Sequence, residues 1–212
     1  MKQAYALLIA CALAALLLTG TATAHVPFIE KQDYSFERPF VMKGPVDKSI
    51  AVYAWLSTGN DTDAYRLQIT QPSRLYCNAI VPVCPAYAQF LPRMAIAGPG
   101  LAPHDEPLPF DLPEGYGAVV LKNTPPGEQR HQFYEPFGGK PYYDAPAFDQ
   151  TVSQTGIWYL YVWDPSGMGG DYVAVVGYKE RFSLTDFFRA LINTFKIRFN
   201  RELHTDCRDS KS

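Results

Sequence analysis

Between Lys48 and Lys179 the apolar side chains recur every second residue, in short stretches set close together. "AYRLQIT" shows the period plainly: Tyr65, Leu67 and Ile69 fall on one face, Arg66, Gln68 and Thr70 on the other. A backbone whose successive side chains point to opposite sides turns that pattern into a half-buried strand. "KSIAVYAWLS" (48–57) is apolar on both alternating sets, which predicts a strand covered on both faces. "SRLYCNAIVPV" (73–83), "RMAIAG" (93–98), "YGAVVLKN" (116–123), "GIWYLYVWD" (156–164) and "DYVAVVGYK" (171–179) are further candidates. "DPSGMGG" (164–170) carries the Asp, Pro and Gly chemistry of a hairpin loop joining the last two. Strands that follow one another without intervening helices predict an all-β fold, an antiparallel, jelly-roll-like sandwich entered through an irregular lead-in.

The first two dozen residues have a different character. Lys2 precedes the apolar run "AYALLIACALAALLL", and "GTATA" places Ala22 and Ala24 where signal peptidase reads small residues. This predicts cleavage after Ala24 and export to the periplasm or beyond the cell; the rival is retention of the run as an anchor, since its length approaches a bilayer span. The expected divisions are then a signal (1–24), a sandwich (25–180), an amphipathic helix (181–203) and a tail (204–212). A formal charge of −2 argues against nucleic acid as a partner. Export permits disulfides. With Cys11 assigned to the signal, Cys77 and Cys84 form the candidate bridge, Pro82 and Pro85 bending the chain between them; Cys207 pairing with either is the alternative. None of the three has the paired spacing of a zinc site.

Two stretches interrupt the strands: 98–115 and 123–150 are too long for simple turns and rich in aromatic and charged residues. Long loops in a compact domain concentrate function, and aromatic faces beside polar tips suit recognition of a glycan or a protein surface. Tyr134, Phe137, Tyr142 and Tyr143 are the candidate contact residues, although the same rings could lock the loop onto the core. "NDTDAYRLQIT" (60–70), followed by "TGIWYLYVWD" and "GGDYVAVVG" (155–177), resembles the bacterial pre-peptidase C-terminal domain. That family opens with a D-x-D step into an aromatic-bearing strand and closes with a G-x-[WY]-Y strand, a glycine turn and a "GDY" strand. The resemblance implies a β-sandwich, and a non-catalytic appendage of the kind attached to secreted enzymes, here free-standing.

Past the strands, Ser183 and Asp186 have capping-box spacing, and Leu184, Phe187, Phe188, Leu191, Ile192, Phe195 and Phe199 recur at helical intervals. Arg189, Lys196, Arg198 and Arg201 supply a basic flank. One expectation is a helix that packs its phenylalanines onto the sandwich; the other is peripheral contact with a membrane or a partner through 182–201.

Metal chemistry supplies the alternative functional reading. A mature N-terminal His25 offers an amine and an imidazole to one ion, and His131 or His104 in the long loops would complete a three-nitrogen site suited to Cu(II). The arrangement resembles the histidine brace of secreted lytic polysaccharide monooxygenases and of copper carriers with a mature N-terminal histidine, matching them at His25 alone. Asp61, Asp63, Asp164 and Asp171 are candidate Ca²⁺ ligands at the sandwich edges, each also explicable as turn chemistry. Catalytic signatures are sparse. No G-x-S-x-G occurs, and Glu114, Glu128 and Glu135 have no spacing that fixes a carboxylate pair. The sequence therefore points to an exported, non-catalytic binding or accessory module, with a periplasmic copper protein as the alternative.

Overall fold

The alternation closes into two sheets packed face to face, in a computed structural model that describes residues 25–124 and 128–199. The expected signal (1–24) and tail (204–212) lie outside the described residues. Twelve strands are present: β1 (Val26–Ile29), β2 (Phe40–Val41), β3 (Ile50–Leu56), β4 (Thr62–Ile69), β5 (Ser73–Pro82), β6 (Arg93–Pro99), β7 (Tyr116–Leu121), β8 (Gln132–Glu135), β9 (Lys140–Tyr143), β10 (Phe148–Val152), β11 (Gly156–Trp163) and β12 (Gly170–Val176). Among the described residues one α-helix, α1 (Leu184–Arg198), follows these strands. The larger sheet runs β1-β3-β12-β5-β9-β8, with β10 also on β5; the smaller runs β2-β4-β11-β6-β7. Strand β5 is long enough to serve two neighbours on one edge, β10 over Ser73–Cys77 and β9 at Val81 and Pro82. Pairing is antiparallel except where β1 joins β3 and β2 joins β4 in parallel.

The all-β expectation holds, and several local readings are corrected. The lead-in contributes β1 and β2, and the presumed loop 123–150 holds the β8–β9 hairpin. "DPSGMGG" is not a hairpin loop, because β11 and β12 lie in different sheets and the turn crosses between layers. Cys77 is free and buried in the core, so it does not bridge to Cys84, which is disulfide-bonded elsewhere.

Alternate residues fill three apolar layers. Val52, Leu67, Leu75, Trp158, Leu160 and Ala174 meet in the sandwich interior. On the outside of the small sheet, Leu108, Phe110 and Leu112 from the 98–115 stretch cover Tyr161 and Trp163, with Phe110 stacked on Tyr161 at 4.0 Å. On the outside of the large sheet, the β8–β9 hairpin and α1 cover Tyr53, Ile80 and Val173. The doubly apolar pattern of β3 thus marks a strand covered by the sandwich on one side and this outer layer on the other.

A polar network crosses the interior. The hydroxyls of Tyr65 and Tyr172, from opposite sheets, are 2.6 Å apart, and Tyr172 donates to Asp63 Oδ2 at 2.5 Å. Asp63 Oδ1 accepts from the Tyr34 amide at 3.3 Å. Burial raises the Asp63 carboxyl to about 7, against the lowering effect of Tyr172. Burial, reinforced by the Asp63 charge, raises Glu30 to about 10; its Oε2 accepts from the Trp55 amide at 2.9 Å.

The capping box of α1 forms as its spacing predicts, between Ser183 and Asp186. The helix does not, however, pack its phenylalanines inward. Asp186, Ala190 and Ile197 are buried, whereas Leu184, Phe187, Phe188, Leu191, Ile192, Phe195 and Phe199 are each 50–75 % exposed.

Candidate binding cleft

On the outer face of the large sheet, the start of β1, strand β5 and the β8–β9 hairpin enclose a cleft of about 350 Å³. Its floor is apolar: Ala51 and Tyr53 from β3, Ile80 from β5, and Val173 and Val175 from β12. These are the outward members of strands whose other set fills the sandwich, so the period of two that built the core also built the floor. Tyr76 and Asn78, the outward residues of β5 before Ile80, form one wall. Phe133, Tyr134, Glu135 and Pro136 form the other, and His25, His131 and Asp144 stand at the rim.

The hairpin wall is fixed through Glu135, which is 4 % exposed. It accepts from the Tyr53 hydroxyl at 2.6 Å, from the Phe137 amide at 3.1 Å and from the Gly138 amide. Such anchoring is charge-assisted and stronger than a neutral hydrogen bond. Burial, with the Glu135 charge beside it, holds the Tyr53 phenol well above its ordinary range. Gly138 is required by close approach: a Cβ there would lie 2.6 Å from the Tyr142 hydroxyl. The opposite wall is tied by Asn78 Nδ2, which donates to Asp144 Oδ1 at 2.8 Å. Asn78 is 5 % exposed, and its Oδ1 accepts no hydrogen bond. Buried acceptors are rarely left so.

The cleft gathers some of the sequence's candidates and leaves others apart. His25 and His131 both line it, whereas His104 does not. The His25 Nδ1 is engaged by the Ser49 hydroxyl, and burial lowers the imidazole pKa against the pull of Glu135 and Glu180. His131 is exposed, its Nδ1 3.6 Å from Asp144 Oδ2. The expected copper set therefore comes down to two imidazoles at one rim. Among the described residues, no group of three or more His, Cys, Asp or Glu side chains is placed to hold a metal ion. The calcium candidates are occupied locally. Asp61 accepts from the Ser57 amide, and Asp164 accepts from the Ser166, Met168 and Gly169 amides and the Ser166 hydroxyl, closing its own turn. Asp63 belongs to the tyrosine network, and Asp171 is a β12 residue opposite Trp55.

Of the four aromatic candidates, Tyr134 alone lines the cleft, and it is 63 % exposed. Phe137 and Tyr142 pack in the outer layer, Tyr142 being 2 % exposed. Tyr143 packs against the main core beneath the Arg130 guanidinium, which sits 3.8 Å from its ring centroid. Tyr142 and Tyr143 thus belong to the structure that holds the cleft. Asn78 and Tyr76 carry no motif, and sequence reasoning missed both; the available signal was a polar Asn inside the apolar run "CNAIV". Neither Glu114 nor Glu128 lines the cleft, so Glu135 meets no partner carboxylate from that set there.

Fold and site define a two-sheet β-sandwich with a ligand-sized cleft on the outer face of one sheet. No protein-family model matches the chain, and no curated protein matches it. Among solved structures, a chain from the empty head of Turnip Yellow Mosaic Virus aligns with 76 % of this chain and 96 % of its own length, at 10 % identity and a TM-score of 0.21. A likeness that low carries no argument about fold or function.

Proposed function

We propose that the chain is an exported, non-catalytic binding module of the pre-peptidase C-terminal kind that takes the end of a glycan in this cleft. The observation that carries the reading is Asn78 Oδ1, a buried acceptor without a donor on the wall of a cleft whose other wall presents an exposed tyrosine. A sugar ring brings hydroxyl donors for such an acceptor and an apolar face for an aromatic ring. The volume, about 350 Å³, is at the lower end of the range for small-ligand sites. His131 and Asp144 at the rim add polar contacts. Nothing in the wall requires a reacting group: Glu135 spends its oxygens on the fold.

A panel of bacterial and host oligosaccharides screened by immobilised array, then by calorimetry on the best binder, tests this. Tyr134→Ala removes an exposed ring and is expected to leave stability unchanged while weakening binding ~10-fold or more, as loss of a central aromatic contact does. Binding indifferent to Tyr134→Ala and to His131→Ala would remove the cleft from consideration. Affinity for proteins but not glycans would show the ligand class to be a protein surface.

A further inference from the structure

Helix α1 presents to solvent the side that an amphipathic helix ordinarily buries. Its exposed apolar side chains cover an arc of ~140° at 100° per residue, a continuous stripe rather than scattered positions. Isolated exposed apolar residues need no explanation, but a contiguous stripe marks a surface that something covers.

The setting of the helix is fixed by polar contacts of Asp186 and Asn193 on its opposite side and of Arg198 at its C-terminal end. Asp186 pairs with Lys48 Nζ at 2.7 Å and with Arg189 Nη1 at 3.0 Å. Asn193 donates to the Pro27 carbonyl on β1 at 2.9 Å, and Arg198 donates to the Pro136 carbonyl at 2.7 Å. The Arg189 guanidinium lies 4.6 Å from the Phe28 ring centroid. Between these pins Ala190 and Ile197 pack down. Rolling the helix to bury its phenylalanines would break the Asp186 pair and leave a buried carboxylate, 4 % exposed, uncompensated. The outward stripe is therefore built in.

We infer that this stripe seats α1 in the interface of an anionic lipid bilayer. Charge complementarity favours lipid: the only acidic residue of the helix is Asp186, buried and held by Lys48 and Arg189, so the exposed side of the helix carries no anion. At helical spacing Arg189 and Lys196 share one edge of the stripe, and Arg198 stands at its C-terminal end. An apolar face bordered by basic residues, on a helix with no anion exposed, matches acyl chains beneath phosphate headgroups. Among the described residues no helix is long and apolar enough to cross a membrane, which is consistent with α1 lying in the interface.

The test uses the chain beginning at His25, which retains all the described strands and α1. It is floated with vesicles of phosphatidylcholine alone and of phosphatidylcholine mixed with phosphatidylglycerol. Binding to the anionic vesicles is expected to exceed binding to the neutral ones ~10-fold or more and to fall with added salt. Leu191→Ser with Phe195→Ser is expected to abolish flotation with an unchanged thermal melt, because both side chains are exposed. As an independent reading, Phe195→Trp should add emission that shifts to the blue on anionic vesicles only. No flotation, or flotation unaltered by the double substitution, overturns the inference. So does a dimer in solution that the double substitution makes monomeric, which would show a second copy as the occupant. Glycan binding in the cleft is unaffected in any of these cases, so the two proposals fail separately.

Discussion

Asp63 is held at 1 % exposure between two tyrosines, and its substitution by asparagine should invert the usual effect of altering a core residue. The folded carboxyl gives up its proton at about 7 against an ordinary 3.8, because burial penalises the ionised form more than the Tyr172 hydrogen bond favours it. The unfolded chain therefore ionises first as the pH rises. Stability is untouched by this group below about 4, falls between about 4 and about 7, and is level above that. At ~1.4 kcal/mol per pKa unit, the penalty has a ceiling of ~4 kcal/mol above pH 7 and grows by ~2–3 kcal/mol between pH 5 and pH 8. The substituted side chain would carry no charge to desolvate, at the cost of ~1 kcal/mol for the imperfect fit of an amide between Tyr172 and the Tyr34 backbone N–H. Asp63→Asn should thus be about as stable as the wild type at pH 5 and more stable by ~3 kcal/mol at pH 8. His25, whose pKa burial lowers, pulls the other way below about 6.5, but it does so in both proteins and cancels in the difference. Urea unfolding followed by tryptophan emission at pH 5, 6.5 and 8 measures that difference. A variant destabilised equally at all three values would show that the Asp63 carboxyl ionises alike in the folded and unfolded chains, and the reasoning would fall.

Two further outcomes follow from close contacts. Gly98→Ala places a Cβ 2.3 Å from the ring of Trp158, itself 1 % exposed, so the ring must move; a loss of ~1–3 kcal/mol in urea unfolding is expected, and an unchanged midpoint would contradict the packing. Cys77 lies in the core with its thiol pKa pushed up by burial alone, so an aromatic disulfide reagent should label it only after denaturation; prompt labelling of the native protein, mapped to Cys77 by mass spectrometry, would show that the interior opens.

How much of the fold was legible in the sequence depended on the length of each signal. Strands β3, β4 and β11 run for seven or eight residues, long enough for their side-chain pattern alone to place them. Strand β1 is four residues with a proline in second place, and β9 likewise has Pro141 second, so neither offers a period to detect. The cleft was half visible. His25, His131 and Tyr134 were candidates on the strength of residue type, whereas Asn78 became one only when its Oδ1 proved to lack a donor in the fold.

Local chemistry suffices for whatever neighbouring residues decide among themselves, and there the sequence determined the outcome: the alternating strands, the Ser183–Asp186 cap, and the turn that Asp164 closes with nearby amides. It was silent on direction. The turn at 164–170 serves equally to return a strand within one sheet or to carry it to the other, and only the available strand edges chose the second. The helical spacing of the phenylalanines likewise defined an apolar stripe without saying which way it would face. That was decided by Lys48 meeting Asp186 and by Asn193 meeting Pro27, contacts between groups 138 and 166 residues apart in the chain. Pairings across such separations exist only once the sheets have assembled, and they fixed the orientation of α1 against its own hydrophobic pattern.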